Sequence, residues 1–139
     1  LVLVSAIFQA AVFKDPFIAA LLFAYGLFYC IVGYALYVGL EDLRSVGNAS
    51  FTLIPITIVY IILALTGGPI LADGKQAIAK SNFLALACAG YAVLYVMVWL
   101  FGYGKFSGKV LGWSLIVWTV VGLWLPAFWL LAACCLPFS

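Results

Sequence analysis

Hydrophobic positions run almost unbroken along this chain, and short polar clusters interrupt them. All six basic and all four acidic residues fall into four such clusters, near positions 14–15, 41–44, 73–80 and 105–109. Between the clusters lie apolar runs of roughly 22–26 residues, the length with which an α-helix crosses a bilayer. The pattern therefore predicts four complete membrane spans, near 17–40, 50–71, 82–103 and 110–136.

The opening run over residues 1–13 is also apolar but is shorter than the others. At about 1.5 Å per residue it reaches only about 20 Å, less than the ~30 Å of a bilayer core. We expect it to be the end of a helix whose beginning precedes Leu1. The fold class predicted is all-α: one polytopic transmembrane bundle over residues 1–139, with four full spans and a partial N-terminal helix. Helices are favoured because the runs are too long for barrel strands.

Composition agrees with a membrane location. Hydrophobic residues make up 69% of the chain and charged residues 7%, whereas soluble domains carry roughly a quarter charged residues. The chain cannot cover a water-facing surface, so we interpret it as an integral membrane protein with lipid as a partner. The net charge of +2, without a basic cluster, argues against nucleic acid as a partner.

The side chains that the spans lack limit the possible mechanisms. The chain contains no His, the commonest metal ligand and general base, and the predicted spans contain no ionisable Asp, Glu, Lys or Arg. Proton pumps and voltage sensors place such groups inside the membrane. Paired carboxylates, a phosphate-binding loop and metal-ligand spacing are also missing. We therefore expect neither enzyme activity nor a cofactor.

Aromatic residues with polar tips recur every fourth position in two of the spans. Tyr91, Tyr95, Trp99 and Tyr103 form one stripe, and Tyr25 and Tyr29 begin another. A step of four residues drifts about 40° around an α-helix, so each stripe stays on one side. The hydroxyls of Tyr29 and Tyr95 are far from any loop, and an unpaired buried hydroxyl costs about 1–3 kcal/mol. Hydrogen bonds between helices satisfy them in one interpretation, and the wall of a hydrated pore does so in another.

Three segments resemble one known family. Ile18–Val32 (IAALLFAYGLFYCIV), followed by Gly39–Asp42 (GLED), resembles the third helix of the urea/amide channel family, which includes the acid-activated urea channels and the amide transporters found beside aliphatic amidases. Ala89–Phe101 (AGYAVLYVMVWLF) looks like the fifth helix. Gly108–Ala132 (GKVLGWSLIVWTVVGLWLPAFWLLA) looks like the sixth. Together they cover most of the chain and correspond to the last four of six helices.

The resemblance implies a narrow pore through each subunit, subunits arranged in a ring, and a prokaryotic inner membrane. It places the constriction at Tyr25, Tyr29, Tyr91 and Tyr95. Where the family has a pore-facing Glu in its last helix, this chain has Trp118. The family's Trp-x-Pro-Ala stretch corresponds to Trp124, Pro126 and Ala127. The predicted pore-lining side chains are therefore Tyr25, Tyr29, Tyr91, Tyr95, Trp118 and Trp124.

Two functions remain open from the sequence. The first is a passive channel for a small neutral solute such as urea or a short amide, with neutral hydroxyls exchanging hydrogen bonds with the solute. The second is a structural or accessory subunit of a larger membrane complex, in which the aromatic stripes are interfaces. We expect a homo-oligomer in the first case and unrelated partner subunits in the second.

Overall fold

The computed structural model describes residues 1–71, 74 and 76–125, apart from the side chain of Leu123. All elements of regular structure named in this range are helices: α1 Val2–Ala11, α2 Pro16–Val38, α3 Arg44–Thr66, α4 Asn82–Gly102 and α5 Gly108–Trp118. A π-helical turn over Thr119–Trp124 continues α5. An isolated antiparallel bridge between Ile70 and Gln76 ties together the loop that follows α3.

Three of these helices, α2, α3 and α4, are long and apolar enough to cross a membrane. The all-helical membrane fold predicted from the sequence is thus present in the described residues, which contain three of the four predicted full spans. The fourth predicted span, 110–136, begins within α5, but its second half and Pro126 lie outside the described residues. The opening run forms the short helix α1.

Local sequence signals set the ends of the spanning helices. The side chain of Asp15 accepts a hydrogen bond from the backbone N–H of Ile18 at 3.0 Å, and Pro16 occupies the first position of α2. A proline costs nothing there, because the first turn leaves its N–H groups free. Gly39 ends α2 and Gly67 ends α3 with φ of 68° and 85°, a left-handed conformation that glycine adopts without strain. Ser81 caps α4 through the N–H of Leu84.

The third helix occupies 44–66, where the hydrophobic pattern predicts 50–71. The polar stretch before residue 50 resembles a loop. Asp42, however, lies two residues before Arg44, and its carboxylate accepts a hydrogen bond from the backbone N–H of Arg44 at 3.0 Å. The helix therefore starts at the charged cluster and stops at Gly67. Pro55 lies inside α3, and the helix continues through it.

Helices α3 and α4 pack closely because small residues line their contact. A Cβ at Gly102 would lie 2.8 Å from the carbonyl oxygen of Leu43 and 3.0 Å from Cα of Gly47, so only glycine fits at this crossing. At the other end, the N–H of Ser81 donates to the carbonyl of Ala64 at 3.0 Å. Such close backbone approach is the usual way in which membrane helices associate. Helix α1 packs on α2 in the same manner, with Leu3 against Gly26.

Candidate functional site

Helices α2 and α4 meet through a layer of aromatic rings. Tyr25 of α2 packs against Tyr91 and Tyr95 of α4, with ring centroids 5.2 and 5.4 Å apart. Tyr91 and Tyr95 lie one helical turn apart and are stacked at 6.4 Å. Phe28 completes the group, with its ring edge against Tyr95 at 5.2 Å. We call Tyr25, Phe28, Tyr91 and Tyr95 the ring cluster. Three of its four members are residues that the sequence predicts for the pore.

One hydroxyl of the ring cluster has a partner on the third helix. The hydroxyl oxygen of Tyr25 lies 3.0 Å from Oγ1 of Thr57, whose side chain is completely buried. This bond joins α2 to α3 across the middle of the bundle. A second tyrosine bond joins the same two helices, because the hydroxyl of Tyr60 donates to the carbonyl oxygen of Phe17. The hydroxyls of Thr57 and Tyr60 are thus satisfied by hydrogen bonds between helices, the first of the two interpretations that the sequence leaves open.

The hydroxyl of Tyr95 is different. Tyr95 is 3% exposed, and its hydroxyl has no hydrogen-bond partner among the described residues. Burying a hydroxyl without a partner costs about 1–3 kcal/mol, so such groups are rare in native structures and call for a structural or functional reason. The surrounding side chains are Tyr25, Phe28 and Tyr91, with the small thiol of Cys88 in the same buried cluster.

Tyr29 lies at the rim of this site rather than inside it. It is 47% exposed, and its ring packs beside that of Phe28 with centroids 6.4 Å apart. A step of four residues from Tyr25 drifts about 40° to one side of the inward direction, and the step of three to Phe28 drifts about 60° to the other. The sequence prediction did not identify Phe28, because it carries no polar group that distinguishes it from ordinary core residues.

The stripe on α4 divides between two neighbours. Its first half faces α2, as described. Its second half faces α3: Trp99 packs against Phe51 with centroids 5.1 Å apart, and the hydroxyl of Tyr103 donates to Oδ1 of Asn48 at 2.7 Å. The drift of successive ring positions around the helix accounts for this division.

Trp118 connects α5 to the ring cluster. Its indole stands edge-on to Tyr91, with centroids 5.9 Å apart. Two glycines make room for it: a Cβ at Gly90 would lie 1.8 Å from Cη2 of the indole, and one at Gly122 would lie 2.7 Å from Cε2. The indole N–H is buried and has no hydrogen-bond partner among the described residues. The π-helical turn begins at the next residue, and such turns often accompany functional sites.

Trp124 lies apart from these side chains. It is 71% exposed and belongs to the π-helical turn that follows Trp118. The other two residues of the Trp-x-Pro-Ala stretch, Pro126 and Ala127, are outside the described residues. The structure therefore groups Tyr25, Tyr91, Tyr95 and Trp118 directly, with Tyr29 at their edge.

Two hollow spaces flank the ring cluster. An apolar cavity of about 250 Å³ lies between α2, α3, α4 and α5, and Phe28 and Tyr29 form its inner end. Its other lining residues include Leu43, Gly102 and Leu111, which lie near the α2–α3 and α4–α5 loops, so the cavity extends towards that side of the membrane. A more open groove of about 530 Å³ runs between α4 and α5, and Trp118 lines it.

Charge is remote from this site. No charged residue occurs in α2 or α4, α3 carries only Arg44, at its first position, and α5 carries only Lys109, at its second. The ring cluster can therefore offer solutes neutral hydroxyls and aromatic faces, and the adjacent Trp118 offers one indole N–H. No family model, curated protein or solved structure matches the chain.

Proposed function

We propose that this chain forms a passive channel through which a small uncharged solute, such as urea or a short amide, crosses the membrane. In this proposal Tyr25, Phe28, Tyr91 and Tyr95 form the constriction. The apolar cavity beyond Phe28 and Tyr29 is the vestibule on one side. The resemblance to the urea/amide channel family supports the same assignment.

The unpaired hydroxyl of Tyr95 is the observation that carries the proposal. A protein that needed Tyr95 only for packing would be better served by phenylalanine, which fills the same space without burying a polar atom. A solute that passes the ring cluster gives this hydroxyl a transient hydrogen bond in place of one from its hydration shell. Transport requires binding weak enough for release, and a single neutral hydroxyl meets that requirement.

Opening is part of the proposed mechanism. Ring centroids 5.2–6.4 Å apart are in van der Waals contact, so a solute must displace at least one ring. Tyr25 is the ring that we assign to this movement. Its bond to Thr57 holds it in the closed position, and rotation away from Thr57 separates it from Tyr91 and Tyr95. The closed packing also keeps ions out, because nothing charged is present to replace their hydration.

An accessory role is the second candidate, and the same contacts give it support. The Tyr25–Thr57 and Tyr60–Phe17 bonds are ordinary interhelical bonds, and large hydrophobic residues are exposed along every helix. In an accessory subunit these surfaces would be covered by other subunits and lipid, and the ring cluster would only hold the helices together. The channel proposal instead places a homo-oligomer in a prokaryotic inner membrane, with no enzymatic activity and no cofactor.

The test is solute flux in proteoliposomes that contain the full-length protein. Stopped-flow light scattering would follow swelling in urea or acetamide for the unmodified protein, Tyr95→Ala and the matched control Tyr37→Ala, whose ring is 91% exposed. The channel predicts flux above that of empty liposomes, changed by Tyr95→Ala and unaltered by Tyr37→Ala. Flux equal to that of empty liposomes, together with co-purification at a fixed ratio with unrelated subunits, would favour the accessory role.

A further inference from the structure

The indole N–H of Trp118 is held in a fixed position and donates no hydrogen bond to any described residue. Gly90 and Gly122 hold the ring so closely that a Cβ at either position would overlap it, and Tyr91 packs against it. The N–H is buried without a partner among the described residues. An indole nitrogen donates and cannot accept. A ring held in place by its neighbours therefore presents one donor that only an acceptor atom can satisfy.

The location of this donor links the groove between α4 and α5 to the ring cluster. Trp118 lines the groove between α4 and α5 on one side and contacts Tyr91 of the ring cluster on the other. The second unpaired polar atom, the hydroxyl of Tyr95, belongs to a ring that also stacks on Tyr91. Both unsatisfied groups thus adjoin Tyr91, and both can donate a hydrogen bond.

We propose that the Trp118 indole N–H is a specificity-determining donor that binds the acceptor oxygen of a small uncharged solute, so that the site selects carbonyl-bearing molecules by their oxygen. This inference rests on the channel function proposed above. An anion would also offer an acceptor, but α2 and α4 carry no positive charge, and Lys109 of α5 precedes Trp118 by nine residues, about 13 Å along the helix. An unbalanced ion is costly in an apolar site. A solute that presents only N–H donors leaves the indole unsatisfied.

Urea and thiourea provide the matched probes. They have the same donor groups and a similar planar shape, and sulfur is the weaker acceptor. In proteoliposomes we expect urea to permeate faster than thiourea. Replacing Trp118 with benzothienylalanine preserves the ring shape and removes the N–H. We expect this change to reduce the urea-to-thiourea permeability ratio by about three- to tenfold, the value of one neutral hydrogen bond. The same replacement at Trp99, which packs against Phe51 of α3 and lines neither hollow space, should leave the ratio unchanged.

A binding measurement distinguishes failure of the site from failure of the channel. The five tryptophans give five indole ¹⁵N–¹H signals in the detergent-solubilised protein, and Trp118→Phe identifies the one that belongs to Trp118. Added urea should move this signal saturably downfield and thiourea should move it less, while the signals of the other four tryptophans move little. A urea-dependent shift of the Trp118 signal in a protein that shows no urea flux would support the binding site and contradict the channel function.

Two results would overturn the proposal. One is a Trp118 signal that urea does not move, as expected if a resident water already accepts the bond. The other is a urea-to-thiourea ratio that the benzothienylalanine replacement leaves unaltered in a protein that does conduct urea. That second result would remove the specificity role and leave the channel function intact.

Discussion

Gly90→Ala is the substitution through which the position of Trp118 can be tested most simply. The added Cβ would lie 1.8 Å from Cη2 and 2.0 Å from Cζ2 of the indole. Van der Waals contact between carbon atoms requires about 3.5 Å, so the ring must move by about 1.5–2 Å. Overpacking of this kind costs about 1–3 kcal/mol. Moving the indole also separates it from Tyr91, with which it is in edge contact.

The control is Gly112→Ala, because a Cβ at Gly112 has no atom within 4 Å. Both glycines are helical, so both substitutions gain the same helix propensity, about 1 kcal/mol in water, and the comparison between them cancels that gain. We expect Gly90→Ala to be less stable than Gly112→Ala by about 1–3 kcal/mol, measured by reversible unfolding in mixed detergent micelles. Near-UV circular dichroism should change for Gly90→Ala only.

The double variant Gly90→Ala/Trp118→Phe refines the test. The atoms of Trp118 closest to the added Cβ belong to the six-membered ring of the indole, and phenylalanine lacks this second ring. The alanine should therefore cost nothing further once Trp118 is phenylalanine, a non-additivity that marks direct contact. Equal stability of Gly90→Ala and Gly112→Ala, with identical near-UV spectra, would refute the placement of Trp118 against α4.

Further predictions concern single contacts of the bundle, each measured by the same unfolding experiment. Thr57→Val should destabilise by about 1–3 kcal/mol because it leaves the hydroxyl of Tyr25 unpaired, and adding Tyr25→Phe should recover most of the loss; an additive double variant would disprove the bond. Tyr95→Phe should preserve or raise stability because it removes an unpaired hydroxyl. Tyr60→Phe removes a hydrogen-bonded hydroxyl and should lower stability by about 1 kcal/mol. A Tyr95→Phe protein less stable than Tyr60→Phe would contradict both assignments. Gly102→Ala should cost about 1–3 kcal/mol, since its Cβ would lie 2.8 Å from a backbone oxygen of the α2–α3 connection; a neutral effect would contradict the α3–α4 crossing.

The sequence predicts the spanning helices well where polar residues mark their ends. Helices α2 and α4 occupy 16–38 and 82–102, against predicted spans of 17–40 and 82–103. The third span is offset because Arg44–Asn48 looks like a loop by hydropathy. Within this stretch Gly47 packs against Gly102 of α4, and Asn48 accepts a hydrogen bond from the hydroxyl of Tyr103. The hydrophobic pattern does not reveal that Gly47 and Asn48 contact α4, because it does not encode which residues of different helices meet.

The candidate site was predictable in part. A four-residue repeat places Tyr91 and Tyr95 on one face, and the structure brings both against Tyr25. The inward position of Phe28 and the pairing of Tyr25 with Thr57 depend on the rotation of α2 relative to α3 and α4, which composition and spacing do not encode. Thr57, a polar residue within an apolar span, was the one local signal for that pairing.

The channel claim requires that water reach the buried ring cluster, and cysteine labelling tests this most directly. Cys88 belongs to the same buried cluster as Tyr25 and Tyr95 and is 2% exposed, whereas Cys30 lies on the outer surface of α2. The test uses a variant in which serine replaces Cys134 and Cys135, reconstituted in lipid. A small water-soluble methanethiosulfonate reagent reacts with a thiol only where water reaches that thiol. The channel proposal places Cys30 against lipid, so a hydrated route predicts that Cys88 reacts faster than Cys30 and that modification of Cys88 blocks flux. Reaction of Cys88 only after unfolding would show that the ring cluster is a dry contact between helices and would contradict the channel.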